Sequence, residues 1–396
     1  MRLGLVMATV LLLAGLAGAQ ATPSTGVGMA QRLNYPHAGV SLAMPAGFEL
    51  QASVQPTDVV VAVMQGQGEP LMAATLTVLP VPDPQINLGD MVAQVLKQQS
   101  ASLAVRQLKV LKETPMPVAG LKGEARLLSY TFRGAQRFSA RVFFVRDLAT
   151  APQRLCYILT VEAAAHVRQQ LLPMLGEIIK GLELTPLAPP GQAPVEGPFT
   201  RIADGSNLLA VGVPRGWFVQ ASGGGLSLGQ VNYLAGGEMG RQVMVMLRPG
   251  REGSGPQQAV ERDLQSAQNV ATQRKFQTRV VSDGPASFAG RSGWGFVIEQ
   301  YPGPQTSAPA LPPSVASSSA PASGPSQPAD QRIVIAQRTT QVVGPSGPLL
   351  LSAMMVAGSA APQQVANDLD EFMAHMEMPE PATQPAPAAA APAPAP

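Results

Sequence analysis

The chain has 396 residues, room for two ordinary domains with connectors, and a formal net charge of +2. That charge is too small to imply nucleic acid, and no Lys/Arg run of the kind that tracks phosphates occurs. Its 39 prolines and 39 glycines point to globular parts joined by low-complexity segments, and its single cysteine, Cys156, rules out an intramolecular disulfide.

The chain opens "MRLGLVMATVLLLAGLAGAQ". Arg2 supplies a positive start, Leu3 to Leu16 an apolar run, and Ala17-Gly18-Ala19 a small-residue cleavage site. Residues 1–19 therefore read as a signal peptide, shorter than a membrane span, and predict export to the periplasm or the extracellular space. No Cys follows the cleavage site, so a lipoprotein is not expected, and no later stretch approaches a membrane-spanning length.

Past the leader, apolar and β-branched content predicts strands at Val40 to Met44, Asp58 to Met64 and Leu71 to Leu79. A helix follows from about Leu88, with Met91, Val95 and Leu96 on its inward stripe. Further strands are predicted at Val105 to Lys112, Ala125 to Phe132, Ser139 to Arg146 and Leu155 to Val161. A closing helix spans about Ala163 to Leu182, with Leu171, Leu175, Ile178, Ile179 and Leu182 inward and Pro173 marking a kink or a late start. Runs such as "VFFV" and "LCYILTV" are apolar on both faces and need cover on each side. Short links such as "RGAQR" suit antiparallel hairpins. The fold class is α+β, an antiparallel sheet flanked by helices.

The phrase then recurs. Pro45, Gly47 and Phe48 of "MPAGF" match Pro214, Gly216 and Trp217 of "VPRGW", 169 positions on, and "AGLKG" from Ala119 matches "AGRSG" from Ala289 at an offset of 170. Near the ends of the copies, Val161 and Val356 are 195 apart. The growth falls in "PGPQTSAPALPPSVASSSAPASGPSQPAD", Pro302 to Asp330, where the first copy has only "RGAQR". That tract has too little apolar surface to offset its ordering entropy and is expected to be disordered. The predicted plan is one repeat at residues 35–184, a Pro-rich linker at 185–198, a second repeat at 199–378 with the 302–330 insert, and an Ala/Pro tail at 379–396. Each copy carries a full set of strands and helices and is expected to fold by itself.

The opening strand ending in "MPAGF" or "VPRGW", the hairpin and helix after it, the "AGxxG" hairpin set and the C-terminal helix together resemble the PsbP-like superfamily. That superfamily includes the PsbP subunit of photosystem II, the Ran-binding Mog protein and bacterial envelope proteins. The resemblance covers roughly Tyr35 to Leu184 and Phe199 to Met378. It implies an antiparallel sheet sandwiched by helices, usually without catalytic activity. No photosystem or Ran contact matches residue by residue, so neither partner carries over.

Catalytic and metal-binding sets are missing from the sequence. Of His37, His166 and His375, only His375 has a ligand-type neighbour at helical spacing, Glu371, and that pair reads as a solvated i,i+4 contact. His37 could serve as a base, but no nucleophile motif accompanies it. "GRSGW" has Trp294 where a nucleophile elbow needs Gly. "SGGGLSLG", Ser222 to Gly229, lacks the Lys-Ser/Thr of a P-loop and the helix of a dinucleotide site, and reads as a hairpin loop. Carboxylates such as Asp83, Asp90 and Glu124 are scattered. Cys156 reads as a small buried strand residue. No cofactor and no metal are expected. Trp217 aligns with Phe48 and reads as core; Trp294 aligns with the polar Glu124 and is the one candidate ligand contact. The leading expectation is an exported, non-catalytic protein that binds another protein or an envelope component. The alternative is a small-ligand carrier or hydrolase with its site between the repeats.

Overall fold

The computed structural model describes residues 32–66, 70–81, 83, 85–102, 104–148, 154–188, 199–203, 209–222, 225–233, 238–250, 255–303, 332–344, 347–358 and 360–377. The leader, most of the 185–198 linker, nearly all of the 302–330 tract and the tail lie outside the described residues.

Module one runs β1 (Arg32–Tyr35), β2 (Val40–Ala43), β3 (Glu49–Gln51), β4 (Asp58–Gln65), β5 (Pro70–Val81), α1 (Leu88–Ser100), β6 (Val105–Pro115), β7 (Gly123–Phe132), β8 (Ala135–Asp147), β9 (Arg154–Ala164), α2 (Leu171–Lys180) and β10 (Leu182–Leu184). Module two repeats the order: β11 (Thr200–Ala203), β12 (Ala210–Val213), β13 (Phe218–Ser222), β14 (Gly225–Asn232), β15 (Glu238–Pro249), α3 (Pro256–Gln273), β16 (Phe276–Phe288), β17 (Arg291–Pro302), β18 (Ile333–Gly344), β19 (Gly347–Gly358), α4 (Pro362–Ala374) and β20 (Met376–Glu377).

Each module has a seven-stranded antiparallel sheet, ordered β3-β4-β5-β9-β8-β7-β6 and β13-β14-β15-β19-β18-β17-β16. The opening strand of each copy belongs elsewhere. β2 lies between β1 and β10, and β12 between β11 and β20, in a small three-stranded sheet. The Pro-x-Gly turn makes this break: Gly47 and Gly216 take φ of 91° and 73°, which redirects the chain before it enters the large sheet. The repeated "AG" is a second backbone device. Ala119-Gly120 and Ala289-Gly290 both have positive φ at the two central positions, the backbone sign of a type I′ hairpin turn. Arg133-Gly134 do the same between Phe132 and Ala135.

Helices cover both faces of each large sheet. α1 buries Met91, Val92 and Val95 on Phe143, Cys156 and Ile158, while Leu171, Leu175 and Ile178 of α2 close the main core on the other face. In module two, Val365, Leu369 and Phe372 of α4 cover Val334, Ala336 and Met355, and Val260 of α3 covers Phe296 and Ile298. The strands on either side of the 302–330 tract pair directly, Gln300 opposite Ile333, as an overgrown hairpin requires.

The closing helix of module one differs from its predicted span. β9 continues to Ala164, a 3-10 segment covers Ala165–Gln170, and α2 begins only at Leu171. Pro173 then sits in the first turn, where its missing N–H has no helical partner to lose.

The two cores interlock. Phe218, Val231 and Tyr233 of module two are buried in the core of module one, and Ala52 of module one joins the core of module two. The Val219 N–H donates to the Ser53 carbonyl at 2.8 Å across a parallel bridge between Ser53 and Phe218. The first linker residues are tied down as well: the Arg146 guanidinium donates to the Thr185 carbonyl at 2.7 Å and to the Gly39 carbonyl at 3.0 Å.

Candidate functional site

The seam between the modules gathers buried polar groups from both. Gly216, in the "VPRGW" turn, lies against the His37 ring so closely that any side chain there would overlap the imidazole. Tyr35 meets His37 edge-on and Tyr233 stacks on it, each at 6.4 Å between ring centres. Burial pushes the His37 imidazole down to about 4, partly offset by its hydrogen bond to the Gly216 backbone, so it is neutral at neutral pH. Thr77 Oγ1 donates to Asp58 Oδ1 at 2.6 Å, and burial nevertheless raises the Asp58 carboxyl to about 6. Tyr157 Oη donates to the Ala38 carbonyl at 3.0 Å. Burial, then the nearby Asp58 and Tyr157, raises the Tyr233 phenol. The cavity at this seam, lined by Tyr35, Ser53, Arg215 and Trp217 among others, is about 20 Å³, space for one water and not for a substrate.

The residues singled out in the sequence are dispersed. Trp217 is buried in the core of module two. Trp294 is half-buried on β17, packed beside Val260, Phe296 and Ile298, with its Nε1 donating to Asp283 Oδ1 at 3.0 Å. Cys156 is a buried strand residue whose thiol burial pushes up to about 12. The Glu371–His375 pair is solvated at 3.5 Å, and the His375 ring stacks on Phe199. Ser222 and Gly225 pair across the β13–β14 hairpin, as the glycine run predicts. His166 is exposed in the 3-10 segment.

Sequence reasoning missed a feature that the repeat itself could have exposed. Seven large apolar side chains are exposed among the described residues, and four of them are Val110 and Leu111 on β6 and Val280 and Val281 on β16. These two pairs occupy the same place in the two copies, 170 positions apart. Both lie on the outer strand of a large sheet, at a break in pairing register (Val110/Lys112 and Val280/Ser282) where an extra residue bulges outward. Beside the "AG" turn of the same hairpin each module has an open groove. One, of about 680 Å³, is lined by Leu88, Met116, Lys122 and Arg126; the other, of about 670 Å³, by Pro285, Arg338, Asp370 and Met373.

The fold is thus that of tandem α+β modules, each a sheet between helical layers. No family model and no curated protein matches the chain by sequence. Among solved structures the chain is similar to the cyanobacterial PsbP of Synechocystis sp. PCC 6803, at 10% identity over 43% of this chain and 99% of that one, with a TM-score of 0.32. It is also similar to LpqN of Mycobacterium tuberculosis, described as involved in cell envelope biogenesis, at 15% identity over 39% of this chain and 90% of that one, TM-score 0.31. A likeness spanning both modules is to the type VI secretion immunity protein TplEi of Pseudomonas aeruginosa, at 11% identity over 84% of this chain and 97% of that one, TM-score 0.23.

Proposed function

We propose that this is an exported, non-catalytic envelope protein whose tandem modules bind another protein through the outer hairpin of each large sheet, β6–β7 and β16–β17. The observation that carries the reading is the exposed apolar pair repeated on both edges, Val110/Leu111 and Val280/Val281. Apolar side chains held in water on an edge strand are costly to solubility and mark interaction surfaces. The leader-like N-terminus supports export. A non-catalytic role is supported by the state of the residues that could act: Cys156 and His37 are both buried in their uncharged forms. Among the described residues, the seam cavity of about 20 Å³ gives no support to the alternative of a ligand site between the repeats.

Site-specific photocrosslinking in the native envelope tests this. A crosslinker at Leu111 and one at Val281 should capture the same protein, and one at Val54, equally exposed but off these edges, should not. Adducts identical at all three positions, or none at the two edges, would remove the proposal.

A further inference from the structure

Beneath the last turn of α1, module one hides a polar cluster that its fold does not require. Arg137, Ser139 and Arg141 follow one another on a single face of β8. Ser139 stands opposite Glu162 of β9, and Arg137 opposite Tyr130 of β7. Gln99 closes the cluster from above, its Oε1 accepting from Arg141 Nη1 at 2.7 Å. Ser139, Arg141, Tyr130 and Gln99 are each at most 3% exposed. Five donors there have no hydrogen-bond partner among the described residues: the Nε atoms of Arg137 and Arg141, the Ser139 and Tyr130 hydroxyls and the Gln99 amide nitrogen. The Tyr130 hydroxyl turns to Glu162, and neither guanidinium forms an ion pair with that carboxyl among the described residues.

Orphaned buried donors are rare in native proteins and costly, so a cluster of them calls for an explanation. Module two serves as an internal control. Its pairing matches Gly293 opposite Thr340 with Gly123 opposite Phe144, which places Ile333, Ile335 and Gln337 where module one has Arg137, Ser139 and Arg141. Ile335 pairs with Val356 where Ser139 pairs with Glu162. The same sheet is therefore built with isoleucine at two of these places and, at the third, with Gln337, whose amide is satisfied by Asp263, so the orphaned polar set serves something other than the fold.

We propose that module one carries a binding site for a small oxyanion, the phosphate or carboxylate group of a ligand, held by Arg137, Ser139 and Arg141 with Gln99 and Tyr130 beside it. The unpartnered atoms are all donors, two of the groups are cationic, and guanidinium N–H pairs match the oxygens of a phosphate or carboxylate. Burial raises the pKa of Glu162, the one acid in the cluster, which favours its uncharged form and lowers the repulsion an anion would meet. Arg137 and Glu162 are only half-buried and form the open side. This site is separate from the edge surfaces above, and its test does not depend on them.

The full chain is titrated with inorganic phosphate, and separately with acetate, against chloride at equal ionic strength, with melting temperature and calorimetric heat as readouts. Saturable stabilisation by phosphate or acetate is expected, and the stronger of the two identifies the group. Arg137→Gln should weaken binding about tenfold or more, the loss of a charge-assisted contact. Glu162→Gln, which fixes the uncharged state that burial favours, should preserve binding, and Arg279→Gln on the module-two edge should leave it unchanged. Should Arg137→Gln fail to fold, Ser139→Ala removes a single hydroxyl and is expected to weaken binding in the same direction. No stabilisation beyond chloride by either anion, or equal stabilisation in the Ser139→Ala variant, would overturn the site and leave the cluster as a place for internal water.

Discussion

The faces of the two large sheets under α1 and α3 are the same surface with its polarity reversed at most positions, the shared place of Arg141 and Gln337 being polar in both. Under α1, module one is apolar at Phe143, Cys156 and Ile158 and polar at Arg137, Ser139 and Arg141. Under α3, module two is apolar at Ile298 and Ile335 and polar at Thr339 and Ser352. Thr339 stands at the place of Phe143, and Ser352 at that of Ile158. The polar half of module two is densely partnered: Asp263 of α3 accepts both Nη atoms of Arg248 at 3.0 and 2.6 Å and the Gln337 amide at 2.7 Å. The polar half of module one keeps more unpartnered donors, at Arg137, Arg141, Ser139, Tyr130 and Gln99, where the Asp263 network leaves the Arg248 Nε. A helix can thus be held to this sheet by either half, provided that the polar half is satisfied. What the fold needs is the turn pattern and one apolar half, and what the other half holds is free to serve a ligand.

The modules also differ in how they use buried charge, and the largest predicted effect breaks that difference. Arg241 and Asp368 form an ion pair at 2.8 Å with side chains 1% and 6% exposed, whereas each ion pair of module one has an exposed or half-buried partner. Asp368→Ala should remove the carboxylate paired with the buried Arg241 and cost about 3–5 kcal/mol. Chemical denaturation should show the loss in module two, and a change of under about 1 kcal/mol would mean that water reaches Arg241.

Tyr233→Ala should cost about 3 kcal/mol, because its ring fills a core position. The informative part is where the loss appears. Tyr233 is encoded in module two and packed in module one, so both modules should lose stability together. A loss confined to module two would restore the independent folding expected from the repeat alone.

The seam should respond to pH through two groups of opposite sign. His37 is buried neutral with its pKa lowered to about 4, so its contribution is full above the unfolded value near 6.5 and is lost as pH falls through 4. Asp58 is raised to about 6, so its contribution is full below about 4 and is lost as pH rises through 6. His37→Phe removes the first alone. Between pH 7 and pH 4 the stability of the variant relative to the native protein should improve by up to about 3 kcal/mol, measured by urea midpoints. A constant offset across that range would show that His37 already titrates normally in the folded protein.

Smallest are the helix starts. Asn87 caps α1, its Oδ1 accepting from the Asp90 N–H at 2.8 Å, whereas α3 starts at Gly255 with only the Gln258 side chain reaching back at 3.1 Å. Asn87→Ala should lose about 1 kcal/mol, and Gly255→Ser, whose site is open, should gain a few tenths, both read as shifts in melting temperature.

Much of this architecture was legible in the chain. The duplicated phrases mark residues whose backbone does something side chains cannot, such as positive φ at Gly47, Gly216, Gly120 and Gly290. Such positions are readable because they depend on local sterics. The strand and α1 assignments follow from apolar periodicity, and Trp217 and Cys156 lie in the core as their surroundings imply. The start of α2 was misread because Ala163 to Gln170 carries no breaker, and pairing with β8 keeps its first residues in the sheet. Trp294 stands in sequence at a polar place and reads as a ligand contact, whereas the neighbours that pack and hydrogen-bond it, Val260 and Asp283, come from α3 and β16.

By itself, then, the sequence determined the number of modules, their α+β class, the turns between strands and the inward stripes of α1 and α2, all consequences of local conformation and hydrophobic period. Only the tertiary structure decided that Tyr233 completes the core of its neighbour, that His37 lies beneath Gly216, and that Arg137, Ser139, Arg141, Tyr130 and Glu162 share one face under α1. Those juxtapositions depend on strand order and register across residues far apart in the chain, which no local pattern encodes.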